Sequence, residues 1–444
     1  MSVSLPSASA APARPALLGK ARRRLTSPAP AAATEPSCRF CGAALHTTFV
    51  DLGTSPLCED LVRPEHFNRA EPVYPLHARV CGQCFLVQVG DFVRPEDIFR
   101  AEYPYFSSYS TSWLQHARRY TDEVTARFGI GPAQRVVEVA SNDGYLLQYF
   151  HQRGVPVLGI EPAGNVADAA RARGIETLGK FFGRKTARQV ALSHGQADLL
   201  IGNNVLAHVP DINDFVGGLQ IMLKAGGVIT MEFPHLLRLI EGRQFDTIYH
   251  EHFSYLSLHT VERIFAHHGL TLFDVQELPT HGGSLRIFAR HAADASQPVG
   301  ERVGELRRRE IEAGVCTEAF YTGFAETVKQ AKRELLQFLI GAKNAGQTVV
   351  GYGAPGKGNT LLNYCGIRTD FLDYTVDANP HKHGLYLPGT RIPIYPPERI
   401  RQTRPDFVLI LPWNLSTEIR QQMADIRDWG GRFVVPIPAV TVFD

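Results

Sequence analysis

Arg135-Val136-Val137-Glu138-Val139-Ala140-Ser141-Asn142-Asp143-Gly144 decides how the chain is read. Residues 135–140 have the length and β-branched content of a buried strand. Ser141 to Gly144 is a turn sequence, and Tyr145 to Arg153 is predicted helical. Val157-Leu158-Gly159-Ile160 follows as a second strand and ends on Glu161, 23 residues after Glu138. Strand, glycine turn, helix and a strand ending in an acid make the open α/β pattern, with the acid placed to hold a ribose diol. The turn has one glycine where a dinucleotide fold has three, which argues against a pyrophosphate there.

A turn of this kind, with an acid on the first strand, suits S-adenosylmethionine. That cofactor has no phosphate, and its amino group and sulfonium are cationic. Further along, Asp198 to His208 reads as a strand whose polar end carries Asn203 and Asn204. A helix and another strand, Gly226 to Glu232, complete the order expected of a class I methyltransferase domain. Glu138, Ser141, Asn142, Gly144, Glu161, Asn165, Asn203 and Asn204 are the candidate cofactor-binding residues.

Upstream lie two Cys-x-x-Cys pairs, Cys38/Cys41 and Cys81/Cys84, separated by 39 residues. Each pair points two thiolates at one tetrahedral ion, and together they close a structural zinc site. Cys58, inside the gap, reads as a bystander. A tyrosine-rich connector, residues 102–110, offers Tyr103 and Tyr105 as phenols for a polar substrate. Residues 111–129 are predicted helical, with Trp113, Ala117, Tyr120, Val124 and Phe128 on one face.

Downstream of the cofactor unit stands Phe245-Asp246-Thr247-Ile248-Tyr249-His250-Glu251-His252-Phe253-Ser254-Tyr255. It concentrates groups able to move a proton near neutral pH. A metal reading is disfavoured because neighbouring ligands chelate poorly and His-Glu-x-x-His is absent. Were the stretch extended, Glu251 would point away from His252, so a turn or helix start is expected. His281, Gly283, Ser284 and Arg286 form a second donor-rich segment suited to an anion.

The C-terminal part carries Gly351-Tyr352-Gly353-Ala354-Pro355-Gly356-Lys357-Gly358-Asn359 after a strand, with Asp377 21 residues past Gly356. This is a second Rossmann-like unit, and taken alone it suggests NAD, making a nucleotide-sugar oxidoreductase the alternative. Gly353, Gly356, Lys357 and Asn359 are expected to face the substrate cleft. His381 to Gly384 reads as a solvated loop.

Three features together resemble the sugar C-methyltransferase family, typified by the TDP-sugar C-3′ methyltransferases of antibiotic biosynthesis: the paired Cys-x-x-Cys, the Val-Glu-Val-Ala-Ser-Asn-Asp-Gly turn, and Tyr-His-Glu-His-Phe-Ser-Tyr. The resemblance runs from about Cys38 to the C-terminus. It implies an α/β protein with a zinc-knuckle domain, a class I S-adenosylmethionine-dependent domain and a Rossmann-like domain that helps bind a sugar nucleotide. The substrate it implies is a nucleotide-linked keto deoxysugar, methylated on carbon after loss of a proton. By the same resemblance His252 is the base and Glu251 a substrate-positioning carboxylate. Tyr249 and Tyr103 or Tyr105 are candidates to donate to the enolate oxygen.

The expected layout is a disordered tail at 1–36, zinc-binding residues 37–100, a methyltransferase domain over 101–298 and a Rossmann-like domain over 299–444. The first 34 residues hold five basic side chains and no acid, so the rest of the chain is slightly acidic despite a formal charge of +2. That balance does not suggest a nucleic-acid partner. No apolar run approaches a membrane span, and a cytoplasmic monomer with reduced cysteines is expected.

Overall fold

The computed structural model describes residues 36–98, 103 and 105–444. The expected tail therefore lies outside the described residues, but for Pro36. The expected boundary at residue 100 also falls outside them.

Three sheets organise the chain. The largest has seven strands, in the spatial order Leu270–Leu278, Ser284–His291, Leu223–Pro234, Ala197–Asn203, Val136–Val139, Val157–Ile160, Thr177–Leu178. Every neighbouring pair is parallel except those made by Ser284–His291, which runs against both neighbours. This is the sheet of a class I S-adenosylmethionine-dependent methyltransferase. All four residues of Val136–Val139 are buried, so the strand reads as continuous rather than alternating. The chain order reverses between Val136–Val139 and Ala197–Asn203, and a crevice opens beyond the carboxyl ends of such a pair.

The helix Thr111–Phe128 lies against this sheet, with Ala117, Tyr120 and Val124 buried at helical spacing. Ser110 Oγ accepts from Trp113 N at its start, and Gly129 ends it at φ +63°. The helix expected over residues 145–153 is shorter, Leu147–His151, because the turn extends through Leu146.

A six-stranded sheet occupies the C-terminal part: Ile394–Tyr395, Thr375–Val376, Val349–Tyr352, Phe407–Ile410, Arg432–Val435 and Thr441–Phe443, with only the last antiparallel. The helix Gly356–Cys365 follows its glycine turn.

The third sheet is small and antiparallel: Thr47–Ser55, Tyr74–Val80, Val87–Val89 and Ser254–Tyr255. Its last strand comes from the histidine-rich stretch, with Ser254 170 residues after Cys84 in sequence. The small sheet shares one apolar core with the C-terminal sheet. Phe49 stacks on Phe324 at 4.5 Å, and the buried face of Phe324–Asn344 continues to Val349 and Phe407. Buried Glu310 accepts from His235 Nε2 at 2.7 Å and from Leu258 N and His259 N, tying Glu301–Ala313 to the large sheet. Among the described residues no helix is long and apolar enough to cross a membrane.

Candidate active site

The four cysteine sulfurs Cys38, Cys41, Cys81 and Cys84 lie within 4.8 Å of one another. Cys38–Cys84 and Cys41–Cys81 are each 3.5 Å apart. Four thiolates at about 2.3 Å from one ion require nearly this spacing, and the donor set is that of a closed structural zinc site. The Gln88 side chain donates to Cys38 Sγ at 3.2 Å and accepts from Arg39 N.

At the crevice, Ala140, Asn142 and Asn204 adopt positive φ values of 55°, 48° and 52°, as sharp turns at strand ends demand. Both Glu138 oxygens, Ser141 Oγ, Asn203 Oδ1 and Asn204 Oδ1 are buried without a hydrogen-bond partner of normal geometry. Burial holds the Glu138 carboxyl well above its usual range, while the Tyr145 hydroxyl favours its charged form. A pocket lined by acceptors fits a cofactor with a cationic amino group. Glu161 ends the second strand with its oxygens bonded to Asn142 N at 3.0 Å and Ala163 N at 2.9 Å. Burial raises its carboxyl to about 7.

Two other expected contacts are engaged elsewhere. Asn165 brackets the Tyr103 backbone, and Asn142 holds Ser107 N and Tyr105 O, so both pin the tyrosine connector over the turn. Gly144 is dictated by packing, since a Cβ there would stand 2.5 Å from Ile175. Replacing Glu161 with Ala should weaken S-adenosylmethionine binding about 10–100-fold, the worth of one or two hydrogen bonds to a charged group, by calorimetric titration.

The histidine-rich stretch is a turn, closed by His252 N to Tyr249 O at 2.9 Å. His252 Nδ1 lies 2.8 Å from the Thr247 carbonyl oxygen, so it carries the proton and donates. Nε2 is left with its lone pair and receives the Tyr249 hydroxyl at 2.9 Å. Burial holds His252 well below its usual range, helped by the nearby charges of His208, His281 and Lys357. His208 packs edge-on against it at 4.6 Å between ring centres. Sequence reading left His208 unassigned, because a lone histidine at a strand end carries no pattern. His250 faces away, bonded to the Pro75 carbonyl. Glu251 is buried, with Cys58 Sγ 3.6 Å from Oε1 and the Tyr103 hydroxyl 3.4 Å from Oε2. Tyr105 is 47% exposed.

The C-terminal sheet supplies the facing wall. Lys357 Nζ donates to Asn414 Oδ1 at 2.7 Å and sits 4.5 Å above the Trp413 ring. Trp413 Nε1 donates to buried Asp246 at 2.6 Å, fixing the turn that leads to His252. Gly282 admits Trp413, whose ring would stand 2.5 Å from a Cβ there. His281 Nε2 accepts from Asn204 Nδ2 at 3.1 Å. Gly283, at φ +119°, packs on Arg238 rather than facing a ligand.

Not all expected substrate residues converge. Arg286 is buried in the large sheet, bonded to Glu232 at 2.7 Å and lying over the Tyr120 ring, and Ser284 donates to Thr280 O. Asn359 Nδ2 donates to Cys58 O at 2.5 Å. Asp377 accepts from Ala354 N and Asn379 N, so the acid of the glycine fingerprint already has partners. His381 is exposed, as a solvated loop requires, and its Nε2 meets the Tyr109 hydroxyl at 3.2 Å, but Lys382 beside it is buried.

Three family models match in series: "Putative zinc binding domain" over residues 38–99, "Methyltransferase domain" over 113–275 and "C-methyltransferase C-terminal domain" over 279–438. The chain is 37% identical over 401 residues to C-methyltransferase NovU from Streptomyces niveus, covering 90% of this chain and 95% of that protein. Among solved structures, magnesium protoporphyrin IX methyltransferase from Synechocystis, with S-adenosylmethionine bound, aligns at 14% identity and a TM-score of 0.33, over 45% of this chain and 99% of that one. A methyltransferase from Clostridium acetobutylicum aligns at 10% identity and a TM-score of 0.33, over 40% of this chain and 92% of that one. This chain belongs to the C-methyltransferase family and is an S-adenosylmethionine-dependent enzyme of it.

Proposed function

We propose that the enzyme methylates the ring carbon beside the carbonyl of a nucleotide-linked keto deoxysugar, a TDP-4-keto-6-deoxysugar at C-3, in deoxysugar biosynthesis. The observation that carries this reading is the His252 ring. Its Nδ1–H is fixed on Thr247, and its basic Nε2 meets the Tyr249 hydroxyl. A C–H next to a ketone ionises only with a base poised in its neutral form and a donor at the growing oxygen anion.

When the Tyr249 hydroxyl turns from Nε2 to a sugar oxygen, the Nε2 lone pair is freed to take the C-3 proton, and the C–H electron pair moves to form the enolate. Tyr249 and Tyr103 are the phenols nearest the base and Glu251 that can donate to the sugar oxygens. Glu138, Glu161 and Asn203 would hold the methyl donor in the crevice, where it would supply an electrophilic methyl group. Positioning of the enolate carbon by the surrounding residues would then account for much of the acceleration. Lys357 and His281, linked through Trp413 and Gly282, would receive the anionic end of a sugar nucleotide.

Incubation with S-adenosylmethionine and a panel of nucleotide sugars tests this. One methyl group should be added to a TDP-4-keto-6-deoxysugar, read by mass, with its carbon located by NMR. Methylation of none of the keto sugars, or on oxygen, would overturn the reading.

A further inference from the structure

Three separate parts of the chain meet behind Glu251. The turn holding Cys58 and Glu59 sits on the start of the helix Gly356–Cys365. Asn359 bonds the Cys58 carbonyl, and a Cβ on Gly356 would stand 2.9 Å from Cys58 Sγ and 3.5 Å from Glu59 Oε1. The glycine therefore admits the chain's own Cys58–Glu59 turn. Lys382, itself buried, donates to Glu59 Oε2 at 3.3 Å and to the Ala354 carbonyl at 2.7 Å. The same turn presents Cys58 to Glu251.

The two carboxyl groups are thus unequal. Glu59 has a cation bonded to it. Glu251 is 4% exposed and meets the Cys58 thiol and the Tyr103 hydroxyl, with Glu59 next to Cys58 on the same turn and the Lys382 ammonium engaged by Glu59. The neighbouring His208 bonds the Glu251 backbone rather than its carboxyl. Two nearby carboxyls in a dry site do not both ionise, and the one with the ion pair keeps the charge. Burial and then the Glu59 charge push Glu251 up to about 8.

We propose that Glu59 is a positioning residue for methyl transfer: paired with Lys382, it keeps Glu251 protonated, so that Glu251 offers the substrate carbonyl an O–H donor instead of a carboxylate. This rests on the reading of Glu251 as a substrate contact beside the base. A carboxylate one residue from His252 would repel the enolate oxygen as its charge grows. A neutral acid stabilises it, and no proton need leave Glu251. Glu251 keeps its proton throughout, while His252 alone accepts the one from carbon.

Infrared spectroscopy of the free enzyme is the test, because it needs no substrate. At neutral pH the wild type should show a protonated-carboxyl band that Glu251→Gln removes and that titrates away near pH 8. Glu59→Gln, which removes the like charge and frees Lys382, should shift that titration down by about one unit or more. Glu59→Asp, which keeps the charge, should retain the wild-type titration. In turnover, the alkaline loss of kcat should move down with Glu59→Gln. Glu251→Gln, a neutral donor, should retain at least about ten-fold more activity than Glu251→Ala, the worth of one hydrogen bond. A wild type without the Glu251 band at neutral pH, or a Glu59→Gln enzyme titrating like wild type, overturns the proposal. Failure of the sugar assignment would leave the infrared result intact.

Discussion

Replacing His252 with Asn should lower the methyl-transfer rate by about 10²–10⁴-fold, the range expected for loss of a general base. S-adenosylmethionine affinity should be unchanged, since the acceptors that fit the cofactor lie at Glu138, Glu161 and Asn203. Asparagine can still donate an amide N–H toward Thr247, so the turn is retained while the basic nitrogen is lost. The pH profile gives a second reading. His252 must be neutral to accept a proton, and its pKa is held well below 6.5 by burial and neighbouring positive charge. On going down in pH, kcat/KM should therefore stay level through 6.5 and fall only well below it. In deuterated water without methyl donor, a keto sugar should exchange its C-3 hydrogen with wild type and not with the variant. Exchange that persists in the variant would overturn the base role of His252.

Much of this architecture was legible because it is local. Val136 to Gly144 reports a strand and a sharp turn from its own residues, and the cysteine pairs report a tetrahedral site from their spacing. What was not legible depends on which distant segment a residue meets. Nothing in Phe253-Ser254-Tyr255 says that residues 254–255 will pair with Val87–Val89 rather than join the large sheet. Arg286 looked like a free donor beside two glycines, but its guanidinium is matched by Glu232 and His116, from a neighbouring strand and a distant helix. Glycine loops share one signature for two causes. Gly282 and Gly356 could have admitted a phosphate, yet they admit Trp413 and Cys58. Cys58 read as a bystander for the same reason, since its partner Glu251 is 193 residues away.

Loss of the zinc should disable chemistry as well as folding. Cys84→Ser should abolish stoichiometric zinc, read by atomic absorption, and lower the thermal midpoint. Structural zinc is worth about 10–16 kcal/mol in peptides that fold only around it, and here part of that stabilisation is shared with the cores of the neighbouring sheets. The link to the active site is short and crosses one pair of strands. The Cys81–Cys84 knuckle runs directly into Val87–Val89, which pairs with Ser254–Tyr255, and Ser254 is two residues past His252. Thr260 Oγ1 and Arg263 also donate to the carbonyls of Cys84 and Gln83, clasping the helix that follows. Slackening the knuckle frees the strand that anchors the turn proposed to be catalytic, and a base misplaced by about 1 Å loses roughly 10²-fold. Turnover should therefore fall by at least about that factor, while S-adenosylmethionine binding should fall less, because the proposed cofactor residues Glu138, Glu161 and Asn203 stand on or at the end of three strands hydrogen-bonded to one another in the large sheet. Wild-type turnover and melting from protein shown to be free of zinc would exclude this coupling and make the cysteine cluster incidental to the site.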